Sequence, residues 1–451
     1  MKIDTWGIVT PIARVSALTA AMLAANVHAA ELTGFAMLPA NTFAVGPTSG
    51  QFAGAGAGGN SLPLLNKQPV QGFSAVLDGP SAHTFYVMPD NGFGAQTNSA
   101  DTLLRVYAVR PNFKTWNGHS VAGSGTVSPA DYENGKRLTG FNGDSFIKLR
   151  DPDHKLGFPI VASQTNYPNG AKDIPVDPSI QKKRLLTGTD FDIEAMRKDK
   201  NGNLWFGEEF GPFLVKADHE GKVVRGEIAT PNILPLGSSA SGTHVMSPQN
   251  PYLGSGTANL GRSNGFEGMA INPAGDKLYT LLEGTVTGDP ARSLRINEFD
   301  IETESYTENN WLYQLEANGT NIGDMTAIND HQFIVIERNG ATATNGTPFK
   351  KLYLADISGV ANGGFVRKTE LVDLMNIADP HDLNGDGSTT FTFPFVTIED
   401  VLILDAKTLL VLNDNNYPFT GGRDLNSDNN EFIKIKLDQP LDYRCRPSAH
   451  R

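Results

Sequence analysis

The sequence predicts an all-β chain folded as a six-bladed β-propeller. Three observations carry this reading. The chain holds 47 Gly and 27 Pro in 451 residues, a level that suits many tight turns and short strands. Its apolar runs are of strand length and rich in β-branched and aromatic residues, while helical periodicity over a long window is hard to find beyond the first thirty residues. Finally, one hairpin-like segment recurs along the chain.

The N-terminus reads as an export leader over residues 1–30. Lys2 and Arg14 carry positive charge ahead of an apolar run at 15–25 that is too short to span a bilayer, and the alanines at 29 and 30 suit cleavage. Asp4 is unusual in such a leader. The expectation is a periplasmic or secreted protein. No later run approaches the length of a membrane span, so no membrane partner is expected after cleavage. The formal charge of −12 argues against nucleic acid, which needs basic patches. Residues 31–69 read as a Gly-rich N-terminal segment, because GQFAGAGAGGN at 50–60 cannot pack a core. The propeller is assigned to residues 70–440 and a C-terminal tail to 441–451. The tail carries Cys445, the sole cysteine, which excludes an intramolecular disulfide. A monomer is expected.

Five segments share a leading acid, an apolar strand, a turn, a second apolar strand and a trailing acid. The clearest is GFEGMAINPAGDKLYTLLEG at 265–284; the others begin near Phe191, Gly323, Ile398 and Gly72. Turn chemistry at 199–202, 272–276, 329–331 and 405–407 supports hairpins. The leading positions Glu194, Glu267, Asp324 and Glu399 lie 73, 57 and 75 residues apart, and 120 residues separate Ser74 from Glu194. That last interval has room for two units, so one blade is expected to be hidden within it. Six units of four strands follow. A large sandwich does not explain the period.

Inner strands of a propeller meet around a channel, and a hairpin returns the chain to the level at which it started. The leading acids therefore define one ring. The trailing acids Asp90, Glu208 or Glu209, Glu283, Glu337 and Asp414 define a second at the same mouth; in the first unit Ser74 replaces the leading acid. Crowded carboxylates cannot all stay ionised without compensation. A divalent cation supplies it, and a set of oxygen ligands without clustered His or Cys points to Ca²⁺ rather than zinc. DLNGDG at 382–387 matches half of a calcium loop, but Phe393 stands where an EF-hand needs Glu; DLNSD at 424–428 is a weaker echo. No nucleophile elbow occurs. His244 and His381 lie in polar loops. Arg262 and Arg338 adjoin acidic motifs and are expected either to pair with ring carboxylates or to neutralise an anionic substrate.

FDIEAMRKDKNGNLWFGEEFGPFLVKAD (191–218), the segment at 265–284, IERNG (336–340) and VLNDNNYPFTGGR (411–423) together resemble the exported bacterial family described as "esterase-like activity of phytase". The likeness runs over roughly residues 70–438. It implies a propeller-like fold related to metal-dependent phosphoester hydrolases. It carries Glu194, Glu208, Glu267, Glu283, Glu337 and Asp414 over as motif acids, with Arg338 beside them. The DNGFG at 90–94 is similar to the family's early acidic turn.

The resulting expectation is a hydrolase of a small, anionic phosphate ester. Its metal set is Asp90, Glu194, Glu208, Glu267, Glu283, Asp324, Glu337, Glu399 and Asp414, and Glu267, Arg338 and Arg262 are its catalytic candidates. Cleavage of a lactone or carboxylic ester, or ligand binding without catalysis, are the alternatives.

Overall fold

A computed structural model describes residues 30–54, 61–168, 173–419, 421–424 and 426–444. The expected leader lies outside these residues save for Ala30, and so does Cys445.

Most of the strands build four-stranded antiparallel blades. Blade 1 comprises Phe73–Asp78, Phe85–Pro89, Arg105–Asn112 and Thr126–Pro129. Blade 2 comprises Ile193–Lys198, Leu204–Glu208, Phe213–Ala217 and Val223–Ala229. Blade 3 comprises Phe266–Ile271, Lys277–Leu282, Ser293–Asp300 and Ser305–Gln314. Blade 4 comprises Asn321–Ala327, Gln332–Arg338, Lys350–Asp356 and Arg367–Asp373. Blade 5 comprises Thr397–Asp405, Thr408–Asp414, Asn430–Leu437 and, from the other end of the chain, Ala30–Leu38. The inner strands of blades 1 to 5 pack side by side in that order, and the fifth returns to the first. This closed ring is what makes the fold a propeller.

The ring has five blades, not the six expected. A separate apolar cluster fills each of the five blade interfaces, and the inner strands of blades 1 and 2 are direct neighbours. Among the described residues, the long interval from Ser74 to Glu194 holds no hidden blade. The described residues of 130–192 add a short strand, Phe146–Lys148, to the edge of blade 1 and a six-residue helix, Pro178–Lys183. Their side chains Leu149, Ile160, Val161, Val176, Ile180 and Leu186 wedge between blades 1 and 2. Interval length measured how much chain was available; the apolar residues in it cap an existing interface instead of forming a new sheet.

Inner strands are buried on both faces, as in Phe266–Ile271, because each blade is covered by two neighbours. Outer strands such as Arg367–Asp373 face water with polar residues. Closure uses the segment read from sequence as lying outside the propeller. Ala30–Leu38 pairs antiparallel with Asn430–Leu437, and Met37 bridges to Thr126 of blade 1. The first and last parts of the described chain thus share one blade. The tail also docks: Leu441 N–H donates to Ala406 O (2.7 Å) and Arg444 N–H to Ile328 O (3.0 Å). Among the described residues no helix is long and apolar enough to cross a membrane.

Candidate metal centre at the propeller mouth

Each inner strand begins at one end of the channel and its hairpin partner returns there, so the long connections gather at that end and the tight hairpin turns at the other. In every blade the first hairpin carries a β-bulge at the mouth. Phe73 faces Pro89 but Ala75 faces Met88; Ile193 faces Glu208 but Ala195 faces Gly207; Phe266 faces Leu282 but Gly268 faces Leu281; Ile398 faces Asn413 but Asp400 faces Leu412. The extra residues are Ser74, Glu194, Glu267 and Glu399. A bulge re-aims a side chain that a regular pleat would turn into the blade interface, and here it aims the leading residue at the channel.

Blade 4 departs from this set. Ile322 faces Glu337 and Met325 faces Val335. Met325 is therefore the counterpart of Met269 and Met196, which face Thr280 and Phe206. Counting back, the leading position of blade 4 is Gly323, and Asp324 is one residue deeper. The same count along the second strands places Asp90, Glu209, Glu283, Arg338 and Asp414 at equivalent trailing positions. The mouth thus carries three glutamates, a serine and a glycine in one ring, and four acids and an arginine in the other.

The structure brings together six of the nine expected metal ligands. Oxygens of Asp90, Asp192 and Glu194 converge within 4.8 Å of one another, as do those of Glu209, Glu267 and Glu283. Glu399 and Asp414 border them. Glu399 accepts from Ser74 Oγ (3.1 Å), and Asp414 accepts from Thr397 Oγ1 (3.0 Å) and Asn416 N–H (2.7 Å). Gly72 has a positive φ of 59°, and a Cβ there would stand 2.8 Å from Asp414 Oδ1, so the backbone has to be bare where it passes this acid.

Three expected ligands point elsewhere. Glu208 accepts the N–H groups of Phe210 (2.8 Å), Gly211 (2.7 Å) and Phe213 (2.8 Å) and shapes the turn out of its own strand. Glu337 accepts from Tyr313 Oη (2.8 Å), Glu316 N–H (2.6 Å) and Lys368 Nζ (2.7 Å) between blades 3 and 4. Asp324 is fully buried, pairs with Arg197 Nη2 (2.6 Å) and accepts from Val401 N–H (3.3 Å). Each of these lies one residue off the register that faces the channel. In their place stand Asp192 and Glu209, which sequence reasoning had left out or left open. Asp192 was legible as the residue two before Glu194, on the same side of an extended strand. The methionines at 196, 269 and 325 were a usable ruler for blade 4.

Among the described residues Arg338 is the one cation that touches these carboxylates. Its Nη2 lies 2.8 Å from Glu267, 3.1 Å from Glu399 and 3.3 Å from Glu283. Arg262 is exposed on the loop into blade 3, two residues from Asn264, whose amide donates to Glu283 (3.1 Å). His244 is exposed, and His381 stacks on Trp116 with ring centroids 4.2 Å apart. Hydrogen bonds of the 382–387 loop stay within that loop or with its flanking residues.

Charge therefore dominates the mouth. Burial, then repulsion from neighbouring acids, holds Asp90, Glu194, Glu209 and Glu267 well above the ordinary carboxyl range. Burial pushes Asp192 up to about 6 and Glu399 up to about 8. Asp192 Oδ1 and Glu209 Oε1 are buried without a hydrogen-bond donor. A carboxylate oxygen removed from water and left without a donor calls for a proton or a cation. The donors are hard oxygens on short side chains at convergent positions, a set that fits a divalent cation of the Ca²⁺ type.

No curated protein matches the chain. Among solved structures it is similar to a glycoside hydrolase family 43 β-1,3-galactosidase with galactodeoxynojirimycin, at 12% identity and TM-score 0.39, covering 85% of this chain and 97% of that one. It is also similar to the calcium-binding protein regucalcin from Agrobacterium tumefaciens, at 9% identity and TM-score 0.35, covering 90% and 99%. A third is the PQQ-bound aldose sugar dehydrogenase from Streptomyces coelicolor, at 8% identity and TM-score 0.32, covering 91% and 100%. The profile of the phytase-like family, described as esterase-like activity of phytase, matches residues 68–417, and the chain belongs to that family.

Proposed function

We propose that the protein is an exported, cation-dependent hydrolase of phosphate esters that works at the acidic mouth of the propeller. Family membership supports a hydrolase on a propeller fold. The observation that supports cation dependence is the triad of Asp90, Asp192 and Glu194, which has no cationic partner in contact and in which a buried oxygen of Asp192 has no donor. These residues would hold a divalent cation, with Ca²⁺ the ion their hard oxygens suit. Such a cation supplies Lewis acidity and lowers the pKa of a bound water. The chain's own groups do the remaining work. Burial, then repulsion from neighbouring acids, holds Glu267 well above the ordinary carboxyl range and pushes Glu399 up to about 8, which suits them to give or take a proton at the mouth. Arg338 fixes the orientation of both. Arg262, exposed on the loop into blade 3, would meet an incoming anion.

The excess of carboxylates over arginine favours a second reading for part of the substrate range. A polyanion such as phytate is repelled by this field, whereas a lactone or neutral carboxylic ester is not. The test is a hydrolysis screen of phosphomonoesters, phosphodiesters, lactones and acyl esters, with added Ca²⁺ and with chelator, on wild type and Glu267→Gln. The expected result is Ca²⁺-dependent phosphate release that Glu267→Gln lowers by about 10²-fold or more, the scale of a lost acid–base group. Lactone cleavage without phosphate release selects the second reading. A chain inert to every substrate but bound to Ca²⁺ is a binding propeller, and the proposal fails.

A further inference from the structure

Five blades offer five leading and five trailing positions at the mouth, and blade 4 alone has no acid at either. Gly323 holds its leading position, and a Cβ there would run into the carbonyl oxygen of Ile398 on blade 5, so no side chain fits. Arg338 holds its trailing position and reaches Glu267 and Glu283 of blade 3 and Glu399 of blade 5. Its own carbonyl-side support is Val396 O, which also accepts from Lys350 Nζ (3.2 Å), so a second buried amino group stands behind it. On the opposite side of the mouth, Asp90, Asp192 and Glu194 have no cationic partner in contact.

We infer that Arg338 is a built-in counter-cation that reserves the blade 3–5 side of the mouth and confines metal binding to a single ion at Asp90, Asp192 and Glu194. A guanidinium shared by three glutamates repels a divalent ion from the same oxygens and uses up their outward lone pairs. Without it, Glu209, Glu267 and Glu283 have the convergence of a second site, and Glu209 Oε1 lacks a donor. The inference rests on the cation-dependent reading above, and it deepens that reading by giving the mouth a stoichiometry and Arg338 a positioning role.

Calorimetric titration of Ca²⁺ into chelator-stripped, full-length protein tests it. Wild type is expected to bind one ion, Asp192→Asn to lose that ion, and Arg338→Met to bind two. Arg338→Lys, which keeps the charge, is expected to return to one. If Arg338→Met does not fold without metal, melting curves at rising Ca²⁺ replace the titration, and the variant should gain more from Ca²⁺ than wild type does. Wild type binding one ion with Arg338→Met also binding one, or gaining no more from Ca²⁺, overturns the counter-cation role alone. Two ions on wild type overturn it as well. No ion on wild type overturns the metal-dependent reading and this inference together.

Discussion

Arg338 of blade 4 stands at the register position that Glu283 fills in blade 3, and the two side chains touch across the mouth, Nη2 to Oε1 at 3.3 Å. One repeat thus carries a charge opposite to its neighbour's at an equivalent place. The consequence is a pit in which acids on one side are neutralised from within and acids on the other are not.

Calcium is expected to raise the melting temperature of the stripped protein, and chelator to reverse the rise. At an ion concentration about a hundred times Kd, the stabilisation amounts to about 2.7 kcal/mol. Asp192→Asn should abolish most of the shift, since its oxygen is one of the buried atoms without a donor. Scanning calorimetry of both proteins with and without Ca²⁺ decides the point.

The stripped protein should lose stability as the pH rises. Burial holds the Asp192 carboxyl up to about 6 and Glu399 up to about 8, above the ordinary carboxyl values of the unfolded chain. The folded state therefore binds more protons between those values, and linkage makes its stability fall with pH in that window. Below about pH 4, where both states are protonated, the contribution is fully present. Denaturant unfolding at pH 5 and pH 8 should give the lower stability at pH 8, with the larger Ca²⁺ gain there as well. A stability that climbs from pH 5 to pH 8 without metal contradicts the proposed electrostatics.

Asp324→Asn and Glu209→Gln separate two kinds of acid that look alike in sequence. Asp324 is paired with Arg197 at 2.6 Å and is fully buried, so Asp324→Asn should destabilise by about 3–5 kcal/mol, the usual effect of breaking a buried pair. It should leave Ca²⁺ affinity unchanged. Glu209 converges with Glu267 and Glu283 at the mouth, so Glu209→Gln should lower activity with little loss of stability. Urea melts and Ca²⁺ titrations on both variants make the comparison.

Removal of residues 1–38 should abolish cooperative folding. Ala30–Leu38 completes blade 5 and bridges to blade 1; without it the edge of Asn430–Leu437 is unpaired and the hydrogen-bonded link between blades 5 and 1 is lost. Limited proteolysis and the dispersion of amide NMR signals report the result. A truncated chain that melts like the full-length protein would show that closure does not depend on this strand.

The hairpins were readable from sequence because the physics behind them is local. The turn at Asn272-Pro-Ala-Gly-Asp276, the apolar strand Lys277–Leu282 and the acids around it depend on residues a few positions apart, and each stands where expected. The mouth was readable for the same reason in blades 3 and 5, and in blade 2 at its leading Glu194. Blade 4 misled because Gly-Asp resembles the Phe-Glu of its neighbours, while a one-residue difference in register decides which side chain faces the channel.

By itself, the sequence determined an all-β repeat of short hairpins with acids at their ends, since strand length, turn residues and charge placement are encoded within each repeat. Tertiary structure alone decided the number of blades, the use of Ala30–Leu38 to close the ring, the choice of Glu209 over Glu208, and the retreat of Asp324 and Glu337 into internal pairs. Those outcomes depend on contacts between blades far apart in the chain and on bulges whose register only the neighbouring strand specifies. Arg338 shows the difference most directly: the sequence placed it beside a glutamate, and the fold turned it toward three others on two different blades.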